Sequence, residues 1–136
     1  MNNYVICLHG LGRTRFSMRY LCRRIRREGY KTLLYGYHSR RSKLAVMGSD
    51  FAAYTLRHIP DHSRVSFVGH SLGCLLVRLL LEDTATKAEL AERDISFHRA
   101  VFLGPPNRGA ELAQKLQKTK LSGFILGPVL DDIAGL

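Results

Sequence analysis

The chain has 136 residues, 46% of them apolar and 24% charged, which is the composition of a globular domain and excludes a disordered or fibrous one. Its net charge is +10, and the whole excess lies in residues 13–43, which hold eleven basic residues and one acid, Glu28. No apolar run reaches the roughly 20 residues that a membrane-spanning helix needs, because the longest, Cys74–Val77 and Leu79–Leu81, is broken by Arg78.

In chain order, Tyr4–Leu8 is a β-rich run that stops at His9-Gly10-Leu11-Gly12, a turn signal. Residues 14–28 follow as a helix, with Met18, Leu21, Cys22 and Ile25 on one face and Gly29 beyond its end. Thr32–Tyr35 is a second strand closed by Gly36, and the polar, basic residues 37–46 form a surface loop. Residues 47–58 are helical, ending ahead of Pro60. Val65–Val68 is a third strand, Gly69-His70-Ser71-Leu72-Gly73 a tight turn, and residues 72–82 a helix apolar on nearly every side and hence buried. A polar helix over 86–93 leads to a fourth strand, Ala100–Leu103, halted by Gly104-Pro105-Pro106. Residues 109–118 are helical and 119–136 weakly patterned. Strands alternating with helices imply βαβ units and a parallel sheet.

The three cysteines, Cys7, Cys22 and Cys74, are odd in number and widely spaced in apolar surroundings. They read as reduced, buried thiols, not as a disulfide framework or a metal site. No metal or cofactor is expected. The chain starts without a basic segment leading into an apolar core of a signal sequence, so the expected location is the cytoplasm.

Gly69-His70-Ser71-Leu72-Gly73 fits G-x-S-x-G, in which a serine sits on a strained strand-to-helix turn and exposes its hydroxyl above the sheet. At usages of about 7% for glycine, and a similar figure for serine, the pattern arises by chance in roughly one chain in twenty of this length. Its context therefore matters, and here a strand precedes it and a buried helix follows. Acyl transfer also needs two preorganised donors for an oxyanion. The backbone N–H of Leu72, at a helix N-terminus, supplies one. That of Leu11, after the first strand, supplies the other, since the first and third strands are neighbours in a sheet ordered 2-1-3-4. His9 reads as a residue that shapes this loop and His70 as one that packs beside the turn. His38, His58 and His62 fall on the surface. Gly10-Leu11-Gly12 starts like a dinucleotide-binding fingerprint, but Arg15 stands where the third glycine belongs.

Leu8-His9-Gly10-Leu11-Gly12, Gly69-His70-Ser71-Leu72-Gly73 and Leu103-Gly104-Pro105-Pro106-Asn107-Arg108-Gly109 resemble three successive landmarks of serine lipases and esterases of the α/β-hydrolase fold. The resemblance covers essentially the whole chain, with Cys74 standing where the lipase pattern more often has a further glycine. It implies a single domain over residues 1–136, a three-layer α/β/α arrangement with a parallel sheet ordered 2-1-3-4, and hydrolysis of carboxylic esters through an acyl-enzyme on Ser71. In that family an acid and then a histidine follow the serine. Past Leu103 the sequence has no histidine; His98 lies ahead of the fourth strand, and Asp131 and Asp132 match no clear acid position. The expectation is therefore the N-terminal portion of such a domain, C-terminally incomplete. Three functions stay open: an esterase or lipase, an acyltransferase or thioesterase using the same serine, and a non-catalytic fragment or binding module. The expected substrate is a small-molecule or lipid ester. Arg19, Arg23, Arg24, Arg26 and Arg27 offer weak attraction to an anionic membrane surface; no motif supports nucleic acid.

Overall fold

The computed structural model describes residues 1–10, 13–39 and 42–105. The expected helix over 109–118, Asn107, Asp131, Asp132 and the end of the third motif lie outside the described residues, as does Leu11. Four parallel strands form the sheet: β1 (Asn2–Leu8), β2 (Lys31–Tyr35), β3 (Ser63–His70) and β4 (Ser96–Leu103), in the order β2-β1-β3-β4. Four helices connect them: α1 (Arg19–Arg27), α2 (Leu44–His58), α3 (Leu72–Glu82) and α4 (Thr84–Glu92). This is the expected α/β class and strand order.

The period of two along β1 divides the interior into two layers. Ile6 and Leu8 point into the larger core, where α2, α3 and α4 contribute Met47, Phe51, Leu76, Leu80 and Leu90. Val5 and Cys7 point to the opposite face and meet Met18 and Cys22 beneath α1. β3 repeats the division, with Val65 and Phe67 facing one layer and Val68 the other. Strands buried on both faces tend to be continuously apolar, as β1 is over Tyr4–Leu8; in β3 the run is interrupted by the half-buried Ser66. Across the α1 face the cover thins toward β4: Val101, the partner of Val68, is 49% exposed.

Cys7 and Cys22, fifteen positions apart, meet in that smaller core. A hydrogen bond with Cys22, reinforced by burial, pushes the Cys7 thiol well above its ordinary range, so it stays protonated. All three cysteines are buried and free.

Several boundaries differ from the sequence expectation for identifiable reasons. The first helical segment opens as a 3-10 turn over Arg15–Met18, and α1 starts only at Arg19, because Met18 leaves the helical region with ψ near 1°. α2 begins at Leu44 inside the expected loop, since Leu44 and Met47 share the face that enters the larger core. β4 begins at Ser96, not Ala100, because pairing with β3 starts at Arg64 with Ser96 and resumes after an irregularity between Val65 and Phe67. His98 therefore lies within β4 and not ahead of it.

At the amino ends of β3 and β4, Arg93 fastens the incoming loops. Its guanidinium donates to the Leu56 carbonyl at 2.6 Å, the Ile59 carbonyl at 2.7 Å and the Asp61 carboxylate at 2.7 Å. Because these are charge-assisted bonds from one half-shielded side chain, Arg93→Ala is expected to cost about 2 kcal/mol. Urea unfolding measures it; an unchanged midpoint contradicts the role given to Arg93.

Candidate functional site

The described parts of the three sequence motifs, Leu8–Gly10, Gly69–Gly73 and Leu103–Pro105, come together at the carboxyl ends of β1, β3 and β4. The chain leaves β3 and enters α3 through one residue, Ser71, at φ 53° and ψ −114°. A residue with a Cβ adopts positive φ only when its surroundings impose it, at a cost of order 1–3 kcal/mol. Two bonds impose it here. The Ser71 N–H donates to the Leu103 carbonyl at 3.0 Å, and the Cys74 N–H donates to the Ser71 carbonyl at 3.0 Å, which starts the helix.

The flanking glycines allow an unusually close crossing. A Cβ on Gly69 would lie 2.9 Å from the Cys74 nitrogen, and one on Gly73 would lie 2.8 Å from the Leu8 carbonyl oxygen. Neither obstacle is a side chain that could swing away, so any larger residue must push α3 off the sheet. Cys74 supports the turn from beneath: its thiol donates to the Gly69 carbonyl at 3.2 Å, and burial pushes its pKa up, keeping it a neutral donor.

The end of β1 lies directly beside this turn. His9 is fully buried and both of its ring nitrogens are engaged. The Tyr37 backbone N–H donates to Nε2 at 3.2 Å, so Nε2 is unprotonated and Nδ1 carries the hydrogen, donating to the Gly10 carbonyl at 2.9 Å. The Tyr37 ring stacks on the imidazole with centroids 4.0 Å apart, and its hydroxyl donates to the His9 carbonyl at 2.6 Å. Burial is the main reason that the His9 pKa falls below 6.5. A neutral imidazole with both nitrogens engaged ties Gly10 to Tyr37 and has no nitrogen free to take a proton from Ser71. His70 is half-buried and stands next to Gly10, whose Cβ position lies 2.6 Å from the His70 Nδ1.

Ser71, Leu72, Gly69, Gly73, His70, His9 and Gly10 thus converge, while Leu11 lies outside the described residues. Tyr37 is the residue that sequence reasoning missed, because it was placed in a polar surface loop. Its signal was the Tyr35, Tyr37 spacing just past a strand that pairs with β1.

Among the described residues a proton acceptor for Ser71 does not assemble. Among the described residues no histidine hydrogen-bonds its hydroxyl. His98 is five residues before Leu103 along β4, roughly 16 Å from this end of the sheet. A His–Asp pair does exist, His62 Nδ1 with Asp94 Oδ2 at 2.9 Å. It sits before β3 and β4, at their amino ends, with the eight residues of β3 intervening, roughly 25 Å. Both members are also largely exposed, so solvent weakens the pair.

Among the described residues no cluster of His, Cys, Asp and Glu has the geometry of a metal centre, and no helix is long and apolar enough to cross a membrane. The family model described as "Putative serine esterase (DUF676)" matches residues 2–116. No curated protein and no solved structure matches the chain.

Two outcomes follow from the geometry. Glycine relieves a positive φ that alanine must still bear, so Ser71→Gly is expected to be more stable than Ser71→Ala by about 1 kcal/mol, despite the flexibility that glycine adds to the unfolded chain. Equal unfolding midpoints would falsify the strained turn. The second outcome concerns His9. Its folded pKa is depressed, so the unfolded chain binds the extra proton first; stability is fully present above pH 6.5 and declines as pH falls through that value toward the folded pKa. Thermal unfolding on acidification should show this decline in the native chain and a flatter profile in His9→Gln.

Proposed function

The chain belongs to the DUF676 serine esterase family, and from that premise we propose that it hydrolyses carboxylic esters, of the lipase or esterase kind, with Ser71 as nucleophile. One observation carries the reading: Ser71 of the G-x-S-x-G pattern holds φ 53° at the junction of a central strand and a buried helix, the strand–turn–helix setting that this motif requires of a nucleophile. The turn is then a nucleophile elbow. Ser71 Oγ attacks the ester carbonyl, whose oxygen becomes an oxyanion; as the ester C–O bond breaks, the proton from Oγ ends on the departing alcohol, and water then cleaves the acyl-enzyme, releasing the acid and restoring the Ser71 hydroxyl. The Leu72 N–H, at the start of α3, and the Leu11 N–H stabilise the oxyanion; in such sites one donor is worth about 2.7–4 kcal/mol of the barrier. His9 acts at one remove, holding the Gly10 carbonyl so that the loop keeps its path. The mechanism uses no metal or cofactor. Three free, buried thiols suit a reducing compartment, in line with a cytoplasmic location.

Among the described residues no histidine hydrogen-bonds Ser71, which favours a second reading, a binding module that keeps the turn of a hydrolase without its base. A fluorophosphonate probe separates the two, since it labels only an activated serine. The esterase reading expects labelling of the native chain and none of Ser71→Ala. A folded, unlabelled native chain overturns it and leaves the binding module.

A further inference from the structure

Residues 13–28 hold +6 of the +10 net charge and have a definite location in the fold. Residues 13–28 carry Arg13, Arg15, Arg19, Arg23, Arg24, Arg26 and Arg27 against one acid, Glu28. Met18 and Cys22 turn inward, and all seven arginines are exposed on the outer side. Arg26 donates to the Thr32 hydroxyl at 2.9 Å; among the described residues no carboxylate pairs with Arg19, Arg23, Arg24 or Arg27. A surface held together by internal ion pairs would not look like this.

Two further features share this surface. Phe16 is 61% exposed and Tyr20 74% exposed, among the most exposed large apolar side chains of the described residues. They stand one helical turn apart, and Arg23, Arg24 and Arg27 continue the same stripe. Arg15 lies over the Phe16 ring at 5.1 Å. Beside the stripe, Arg19, Arg23 and Arg26 surround a cleft of about 170 Å³ floored by Cys22 and Leu34. Its walls are cationic and its floor apolar, which suits one phosphate group attached to something greasy.

We propose that the 3-10 turn and α1 dock on the surface of an anionic lipid bilayer, with a lipid phosphate in the Arg19–Arg23–Arg26 cleft and Phe16 and Tyr20 at the level of the headgroups. Exposed aromatic rings beside unpaired arginines are the side chains that sit stably at such an interface. Nucleic acid also attracts arginines, but the surface is a convex helix face, not a groove that follows a phosphate backbone. The position of the turn adds a consequence. Arg15 packs at the Gly36 backbone just beyond β2, and so at the carboxyl end of the sheet, the end that holds Ser71. The stripe runs from there back to Arg26, which bonds Thr32 at the start of β2, so the docked face lies along the sheet, on the side opposite α3. The docking does not rest on the esterase reading.

The test is co-sedimentation of the whole chain with phosphatidylcholine vesicles, with and without phosphatidylserine, over a range of salt. Binding is expected only with phosphatidylserine and is expected to fade with salt. One arginine near such a surface is worth about fivefold in partitioning, so reversing two, Arg19→Glu with Arg23→Glu, should weaken binding by more than tenfold. Phe16→Ala with Tyr20→Ala should weaken it severalfold and steepen the salt dependence of what remains. All four positions are exposed, and circular dichroism checks that the variants fold. No binding, equal binding to neutral vesicles, or binding that either double variant leaves intact overturns the proposal. So does duplex DNA bound with the same loss on charge reversal and no loss on removal of the aromatics, which assigns the surface to nucleic acid. Vesicle binding and fluorophosphonate labelling are read separately, so failure of one is not mistaken for failure of the other.

Discussion

The site depends on how closely α3 crosses the ends of β1 and β3. At Gly73 the helix backbone stands so near the Leu8 and His9 carbonyls that a single methyl would not fit, and at Gly69 the strand backbone meets the first turn of the helix in the same way. A close crossing leaves one residue to turn the chain from strand to helix, and that residue takes positive φ. The strain at Ser71 is therefore a result of packing elsewhere. It is sustained by apolar burial along α3, where Leu72, Leu75, Leu76 and Leu80 anchor the helix to the sheet.

The same crossing sets the electrostatics nearby. With α3 pressed against β1, His9 has no access to water and neither ring nitrogen is left over. The neutral ring makes two hydrogen bonds and stacks on a tyrosine, an arrangement that ties Gly10 to Tyr37 and leaves no nitrogen for acid–base chemistry. Among the described residues, the histidine with a carboxylate beside it, His62, belongs to the far end of the sheet, where Arg93 also gathers its partners. The two ends thus divide their tasks: bonds at the amino end fasten loops, and backbone groups at the carboxyl end surround a serine.

Much of this was legible in the order of residues. Strand and helix periods are local, so β1, β2 and α3 stand where apolar spacing puts them, and the turn chemistry of Gly69 and Gly73 names the place where the chain must bend sharply. β4 was legible only from Ala100 on, because Ser96-Phe97-His98-Arg99 has no strand period of its own and is extended by its pairing with β3. Tyr37 was hidden for a similar reason. The Tyr35, Tyr37 spacing marks it as continuing the face of β2, but that its ring finds His9, 28 positions earlier, follows only from β2 lying beside β1. Cys7 and Cys22 likewise look isolated in the sequence and touch in the fold.

By itself the sequence determined what depends on neighbours along the chain: an α/β protein, three glycine-bounded turns in a fixed order, a serine in the middle turn, and +10 of charge gathered into one segment. Tertiary structure decided what depends on neighbours in space. It made His9 neutral by burying it, gave Ser71 its positive φ by drawing α3 onto β1, separated the His62–Asp94 pair from the serine by the length of a strand, and left Phe16, Tyr20 and the arginines facing outward together. A side chain's identity is written in the sequence, but its charge state, strain and exposure are set by packing between distant segments.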